Sequence, residues 1–421
     1  MTVSRFRFSL LSLSIGAILA GCSGQHSEFG GPPLAVSSSV AQPHKSAGNE
    51  AVVYNFTGGA DGGNAATAIA LDKSGNAYGT TVVGGTYQCG TIFELNPQSK
   101  LPWSETPLYD FTCYSDGKNP HGGVTLDAQG NLDGTTVAGG PSYCTGDGCG
   151  VVYQYKAGVE RVLYDFTGGN DGFGPGGAVT IDKAGNMYGT TPDGGASGVG
   201  TIYEITRAGK FKVLHAFTGG DDGGTGSLGS LLLDSSGNLY GVTESGGQYS
   251  SGTAYRLTPA KNGKWKFATI YAFKGTPDAG SPYGGLIEDA GGILYGTTYY
   301  GGTNSLGSVY ALLPKGSAVT ERVLYSFKGG SDASLSTSTL AFGTGVLLYG
   351  TSSGGGGSCD CGTIFRVNAK TGKEKVLHSF GGANDGEYSY YGLTKESNGK
   401  FLGTTVAGGT KGQGTVFEFT P

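Results

Sequence analysis

Three sets of side chains in this 421-residue chain have types and spacings that suit chemistry. The first is a run of aspartates in glycine-rich segments: Asp61, Asp116, Asp171, Asp221, Asp222, Asp278, Asp332 and Asp385. The second is a set of aromatic residues in loops: Tyr87, Tyr114, Tyr143, Phe173, Tyr249, Tyr283, Tyr299, Tyr300, Tyr388, Tyr390 and Tyr391. Planar rings beside carboxylates suit sugar recognition, in which rings stack on C–H faces and polar groups bind hydroxyls; the alternative is that these rings pack the crossovers against one another, Tyr being abundant throughout the chain. The third is the cysteines. No D-x-D-x-D-G calcium loop occurs, so no metal is expected and no cofactor is called for. Of the histidines, His26 and His44 lie near the start of the chain, and His215 and His378 stand where related segments carry Tyr. Only His121 is placed for acid–base work, and no nucleophile accompanies it, so no catalytic residue is assigned.

Those residues must be positioned by a repeat. An apolar or aromatic residue followed by Gly-Thr-Thr appears at Tyr78, Tyr188, Tyr295 and Leu402, with looser copies at Asp133, Tyr240 and Tyr349. The glycines, 79, 134, 189, 241, 296, 350 and 403, lie 52 to 55 residues apart. Each unit reads as four short strands rich in Val, Ile, Tyr, Phe and Thr. A D-x-x-G-N turn recurs at Asp72, Asp127, Asp182 and Asp234, where Asp caps the turn. The chain enters the repeats with Val52 to Phe56, a fourth strand, and leaves with Thr415 to Phe419, a third. Joining these ends completes a last sheet, whereas an open solenoid needs polar caps. The spacing therefore predicts an all-β, seven-bladed β-propeller over 51–421, closed by a three-plus-one clasp.

Leu239-Tyr240-Gly241, the Gly246-Gly247 pair, Gly-Thr-Ile-Tyr at 200–203 and Val-Leu-Tyr-x-Phe at 162–166 together resemble the GloVer tandem repeat of bacterial exported proteins with varied surface anchors. The likeness covers about residues 52 to 420. It implies a fold and export, and brings no activity or site residues with it.

Residues 1–21 read as an export signal, with Arg5 and Arg7 before an apolar run to Ala20. Leu19-Ala20-Gly21-Cys22 resembles a lipobox, so Cys22 is expected to carry lipid, and Ser23 points to the outer membrane. Residues 22–50 read as a flexible tether. The formal charge is −5, with no basic run, which excludes nucleic acid as an expected partner. A monomer is expected.

Six further cysteines in an exported chain suggest disulfides. Cys89 precedes one strand and Cys113 follows the next, so an antiparallel hairpin brings them together. Cys144 and Cys149 flank an insertion; Cys359 and Cys361 either pair or stay reduced.

Strand direction sorts the loops onto two faces: the one-to-two and three-to-four turns on one, and the two-to-three loops with the blade crossovers on the other. The crossover face is acidic and aromatic, which favours neutral or cationic ligands. Asp133 is the anomaly, a carboxylate where other copies have Tyr or Leu; it is either a candidate site, with Asp116 or Asp193 as partner, or drift at a partly exposed position. The leading expectation is a surface-anchored binding or scaffold module for a glycan or surface protein, with Asp133, Asp171, Tyr114, Phe173, Tyr283, Tyr299, Tyr300 and Tyr390 as candidate contacts. The competing one is an envelope hydrolase or lyase using acidic residues at the channel mouth.

Overall fold

The computed structural model describes residues 49–421, apart from 142, 143, 145, 227, 228, 317 and 383. Cys22, the signal, the tether and Tyr143 lie outside the described residues. The described chain is built from strands, and no helix in it is long and apolar enough to cross a membrane.

Seven antiparallel sheets repeat one design. In the third, Thr180–Ile181, Met187–Thr191, Thr201–Ile205 and Phe211–Ala216 pair in sequence order, with Met187 opposite Ile205 and Thr191 opposite Thr201. The innermost strand is shorter than the sequence suggests. Its start, residues 176–179, packs on the second blade instead: a Cβ on Gly122 of that blade would come within 2.4 Å of the Gly176 carbonyl.

The Gly-Thr-Thr motif follows from packing. The glycine receives the ring of the third strand, since a Cβ at Gly189 would lie 2.3 Å from the Tyr203 hydroxyl. The first threonine ties one blade to the next: the hydroxyls of Thr80, Thr135 and Thr297 donate to the carbonyls of Pro120, Gly177 and Ser338. The second faces strand three within its own blade, as in Thr81 to Thr91 at 2.9 Å. Both positions are buried, so a hydroxyl there needs a partner inside the protein; Thr351 Oγ1 in the sixth blade is the exception that has none.

Each blade interface also carries a wedge of two rings. Phe111 meets Tyr153 at 5.1 Å, Phe166 meets Tyr203 at 5.3 Å and Phe217 meets Tyr255 at 5.4 Å. Phe273 meets Tyr310 at 5.0 Å, Phe327 meets Phe365 at 5.0 Å, Phe380 meets Phe417 at 5.2 Å and Phe56 meets Phe93 at 5.2 Å. The last contact joins the first and seventh blades, so the ring is closed. Its clasp is Asn49–Asn55 paired antiparallel with Thr415–Thr420, Val52 opposite Phe417 and Tyr54 opposite Val416. Thr404 adds a hydroxyl bond to the Thr67 carbonyl across the same junction.

The three cysteine pairs are disulfides: Cys89–Cys113, Cys144–Cys149 and Cys359–Cys361. The first follows from the hairpin of Thr91–Asn96 with Ser104–Asp110, which sets its flanking residues side by side.

Candidate functional site

Six crossover aspartates, Asp61, Asp116, Asp171, Asp222, Asp332 and Asp385, are employed in the loops that carry them. Asp171 Oδ2 accepts from the Tyr164 hydroxyl at 3.0 Å and the Thr167 amide at 2.8 Å, and Oδ1 accepts from the Thr167 hydroxyl at 2.7 Å. Asp61 and Asp116 hold Tyr54 with Thr57, and Tyr109 with Thr112, in the same way. Each carboxylate turns the chain out of strand four and anchors that strand's Tyr. A charge-assisted corner of this kind stabilises the loop.

Asp133 is fully buried, with Oδ1 accepting from the Gln154 amide at 2.8 Å. Tyr78 occupies the same place in the first blade and donates to Glu94 at 2.9 Å. Asp133 with Gln154 therefore replaces a Tyr–Glu pair by a carboxylate–amide pair. Burial pushes the Asp133 carboxyl up to about 7, Gln154 opposes this, and the carboxylate acting on it is Asp127. Neither Asp116 nor Asp193 is its partner. Phe173 packs among Cys144, Cys149 and Phe166, half-buried beside the insertion. Tyr114 stands 76% exposed in its corner.

The other candidates converge. One residue per blade follows the second threonine or its serine counterpart: Val82, Val137, Pro192, Glu244, Tyr299, Ser353 and Val406. A second ring is set by the residue entering the inner strand, which includes His121, Tyr283, Thr337 and Tyr390. Where the fourth, fifth and seventh blades meet these rings, Tyr283 is acted on by Tyr391, Glu244, Tyr299 and Tyr390. Tyr300 stacks edge-on to Tyr299 at 4.7 Å and is exposed. Thr337 donates to the Tyr390 carbonyl at 2.9 Å, fixing that turn. Tyr391 reaches across to the second blade, its hydroxyl 3.2 Å from His121 Nδ1. Burial pushes the His121 imidazole down to about 4, so it is neutral at neutral pH. The Glu244 carboxyl is raised by burial. The result is a cluster of tyrosines on the crossover face with the Glu244 carboxylate beside it.

Glu244 was missed by residue type alone. Its register was the available signal, since it occupies the position of Tyr299. An open depression of about 450 Å³ on the turn face, lined by Glu288, Asp289, Ala290, Gly291, Phe342 and Gly345, holds a single ring and lacks such a cluster.

A second constellation runs around the outer strands. Glu50, Glu105, Glu160, Glu321 and Glu374 each lie against the strand-four Tyr or His of the preceding blade: His378, Tyr54, Tyr109, Tyr271 and Tyr325. Burial first, then nearby aspartates, push Glu50, Glu160 and Glu374 up to about 7 and Glu105 to about 8. At the remaining two seams a ring replaces the acid: Phe211 stacks on Tyr164 at 3.7 Å and Phe267 on His215 at 3.8 Å.

Fold and site together define a seven-bladed β-propeller with an aromatic crossover face. The chain belongs to the Gloeobacter/Verrucomicrobia repeat family, whose model matches residues 39–230, 115–289 and 227–421. Among solved structures it is similar to an oligogalacturonate lyase from Vibrio parahaemolyticus, at 10% identity and TM-score 0.51 over 85% of this chain and 89% of that one. It is also similar to a putative 6-phosphogluconolactonase from Bacteroides uniformis, at 13% identity and TM-score 0.48 over 82% and 99% of the two chains. A gluconolactonase from Xanthomonas campestris aligns at 14% identity and TM-score 0.43 over 78% and 89%. At such identities the likeness is one of fold, and the fold hosts many chemistries. No curated protein matches the chain.

Proposed function

We propose that this protein is a surface-anchored, non-catalytic propeller that recognises a neutral glycan through its crossover face. The supporting observation is the convergence of Glu244, Tyr299, Tyr390 and Tyr391 on Tyr283. Rings supply stacking area at low conformational cost, and the carboxylate and hydroxyls supply acceptors for sugar hydroxyls. Hydrolysis of a glycosidic bond commonly draws on two carboxyl groups about 5 to 9.5 Å apart. The groups acting on Tyr283 include one carboxylate, Glu244, which favours binding over cleavage. Anchoring is assigned to Cys22 at the outer membrane. Asn49 opposes Thr420 at the turn-face end of the clasp, so a tether entering there leaves the crossover face pointing outward.

On an array of immobilised glycans, the purified protein is expected to bind neutral oligosaccharides and to ignore polyanionic ones. Tyr299→Ala should weaken binding at least about tenfold, a loss of about 1.4 kcal/mol, without lowering Tm. Binding to polyanions, or a Tyr299→Ala variant that binds as tightly as wild type, contradicts the reading.

A further inference from the structure

The seven outer seams are a set of natural variants of one site. Each pairs a strand-four Tyr or His with a Glu or Phe from the next blade. Five carry Tyr, and two carry His. At the His215 seam the partner is Phe267, whose ring lies flat on the imidazole at 3.8 Å. At the His378 seam the partner is Glu50, so His and Glu coincide only there. This is also the seam where the clasp strand meets the sixth blade.

His378 Nε2 lies 3.0 Å from Asp385 Oδ2. The Gly386 amide donates to Asp385 Oδ1 at 2.7 Å and orients that carboxylate. One donor atom from each of Glu50, His378 and Asp385 lies within 4.8 Å of the other two. Glu50 Oε1 is shielded from solvent and has no hydrogen-bond partner, as is true of Glu105, Glu160 and Glu374 Oε1 at other seams, but here His378 Nδ1 is shielded and without a partner as well. A shielded carboxylate oxygen without a donor is costly, and a cation relieves that cost. The only other such trio among the described residues, Cys359, Cys361 and Glu387, has its thiols joined as a disulfide.

We propose that the closing seam is a divalent transition-metal site, with Glu50, His378 and Asp385 as ligands for an ion of the Zn²⁺ class. Two carboxylates and a neutral imidazole place a formal −2 around the ion, which a divalent cation balances. Three protein ligands with one nitrogen suit tetrahedral Zn²⁺ completed by water, whereas Ca²⁺ takes six to eight oxygens. Side-chain rotation closes the donors to the spacing of about 3.3 Å that Zn–ligand bonds of about 2.0–2.1 Å require. The ion would bridge the clasp strand to the sixth blade and so lock the ring.

The test uses untagged full-length protein, dialysed against Zn²⁺ and then assayed for metal content and Tm. Glu50→Phe and His378→Tyr each install the residue that other seams already accommodate. Wild type is expected to retain an equivalent of Zn²⁺ more than either variant and to gain several degrees of Tm with Zn²⁺. His215→Tyr, at the seam without Glu, should behave as wild type. Equal metal content in wild type and in Glu50→Phe and His378→Tyr overturns the proposal, as does a Zn²⁺-dependent Tm rise that persists in both.

Discussion

Deleting residues 1–57 is expected to abolish cooperative folding of the propeller. The deletion removes the strand Asn49–Asn55, which pairs along Thr415–Thr420. It takes away Val53 and Phe56, both buried, and strips cover from Phe93, Leu402 and Val416 in the same core cluster. Burying two such side chains contributes roughly 3–6 kcal/mol, and Phe56 loses its ring contact with Phe93 as well. The exposed edge of Thr415–Thr420 adds a template for aggregation. Net stabilities are about 5–15 kcal/mol, so the loss removes most of the margin. An open solenoid would shed a terminal strand and keep the rest. Circular dichroism melts and gel filtration should show a broad transition and aggregates. Phe56→Ala should keep a cooperative melt at a cost of about 3–5 kcal/mol. A deletion variant that melts as sharply as wild type contradicts ring closure.

Raising the pH from 5 to 8 is expected to destabilise the protein, the reverse of what salt-bridged carboxylates produce. In the folded state Glu50, Glu160 and Glu374 hold their protons to about 7 and Glu105 to about 8, while the unfolded chain releases them near 4.5. The folded state binds more protons across that window. The contribution is full below about 4.5 and is lost as pH rises through the folded values. These side chains are half-buried, so solvent screening reduces each contribution to about 1–2 kcal/mol. The four groups together give roughly 4–8 kcal/mol, because separate seams act independently. His121 opposes this, held neutral by burial with its folded value near 4, and His215 is lowered too; their contribution is lost as pH falls below about 6.5. Two imidazoles do not outweigh four carboxyls, so the net slope stays negative. Calorimetry in chelator should find Tm highest near pH 5 and lower by pH 8. Glu374→Phe should flatten the slope. A Tm that rises or stays level between pH 5 and 8 contradicts the assignment.

The architecture was legible because each of its determinants sits inside one repeat or recurs in every copy. Gly-Thr-Thr marks where the third-strand ring needs space, and the D-x-x-G-N aspartate works within its own turn: Asp182 accepts from the Asn186 amide at 2.9 Å. The phase of the two ends was enough to place Tyr54 beside the last strand. Hairpin register paired Cys89 with Cys113 for the same reason.

The tyrosine cluster was only partly legible. Its members come from different blades, His121 and Tyr391 being 270 residues apart, so spacing along the chain does not report their contact. Tyr283, Tyr299, Tyr300 and Tyr390 were visible as loop aromatics, but so were Tyr114 and Phe173, which the fold places elsewhere. Asp171 looked available for a ligand because its partner Tyr164 belongs to the preceding strand and its own loop supplies the other donor. The choice of Glu or Phe at each outer seam pairs a residue with one in the preceding blade, so neither copy alone reveals it.

The proposed recognition surface is the tyrosine cluster around Tyr283. Hydroxyl-radical footprinting of the full-length protein, with and without its best-bound array glycan, tests this most directly, since tyrosine oxidation is read peptide by peptide. Protection is expected at Tyr283, Tyr299 and Tyr390, with Tyr114 unchanged. Protection that spares these three and falls instead around Glu288 and Phe342 on the turn face would contradict it.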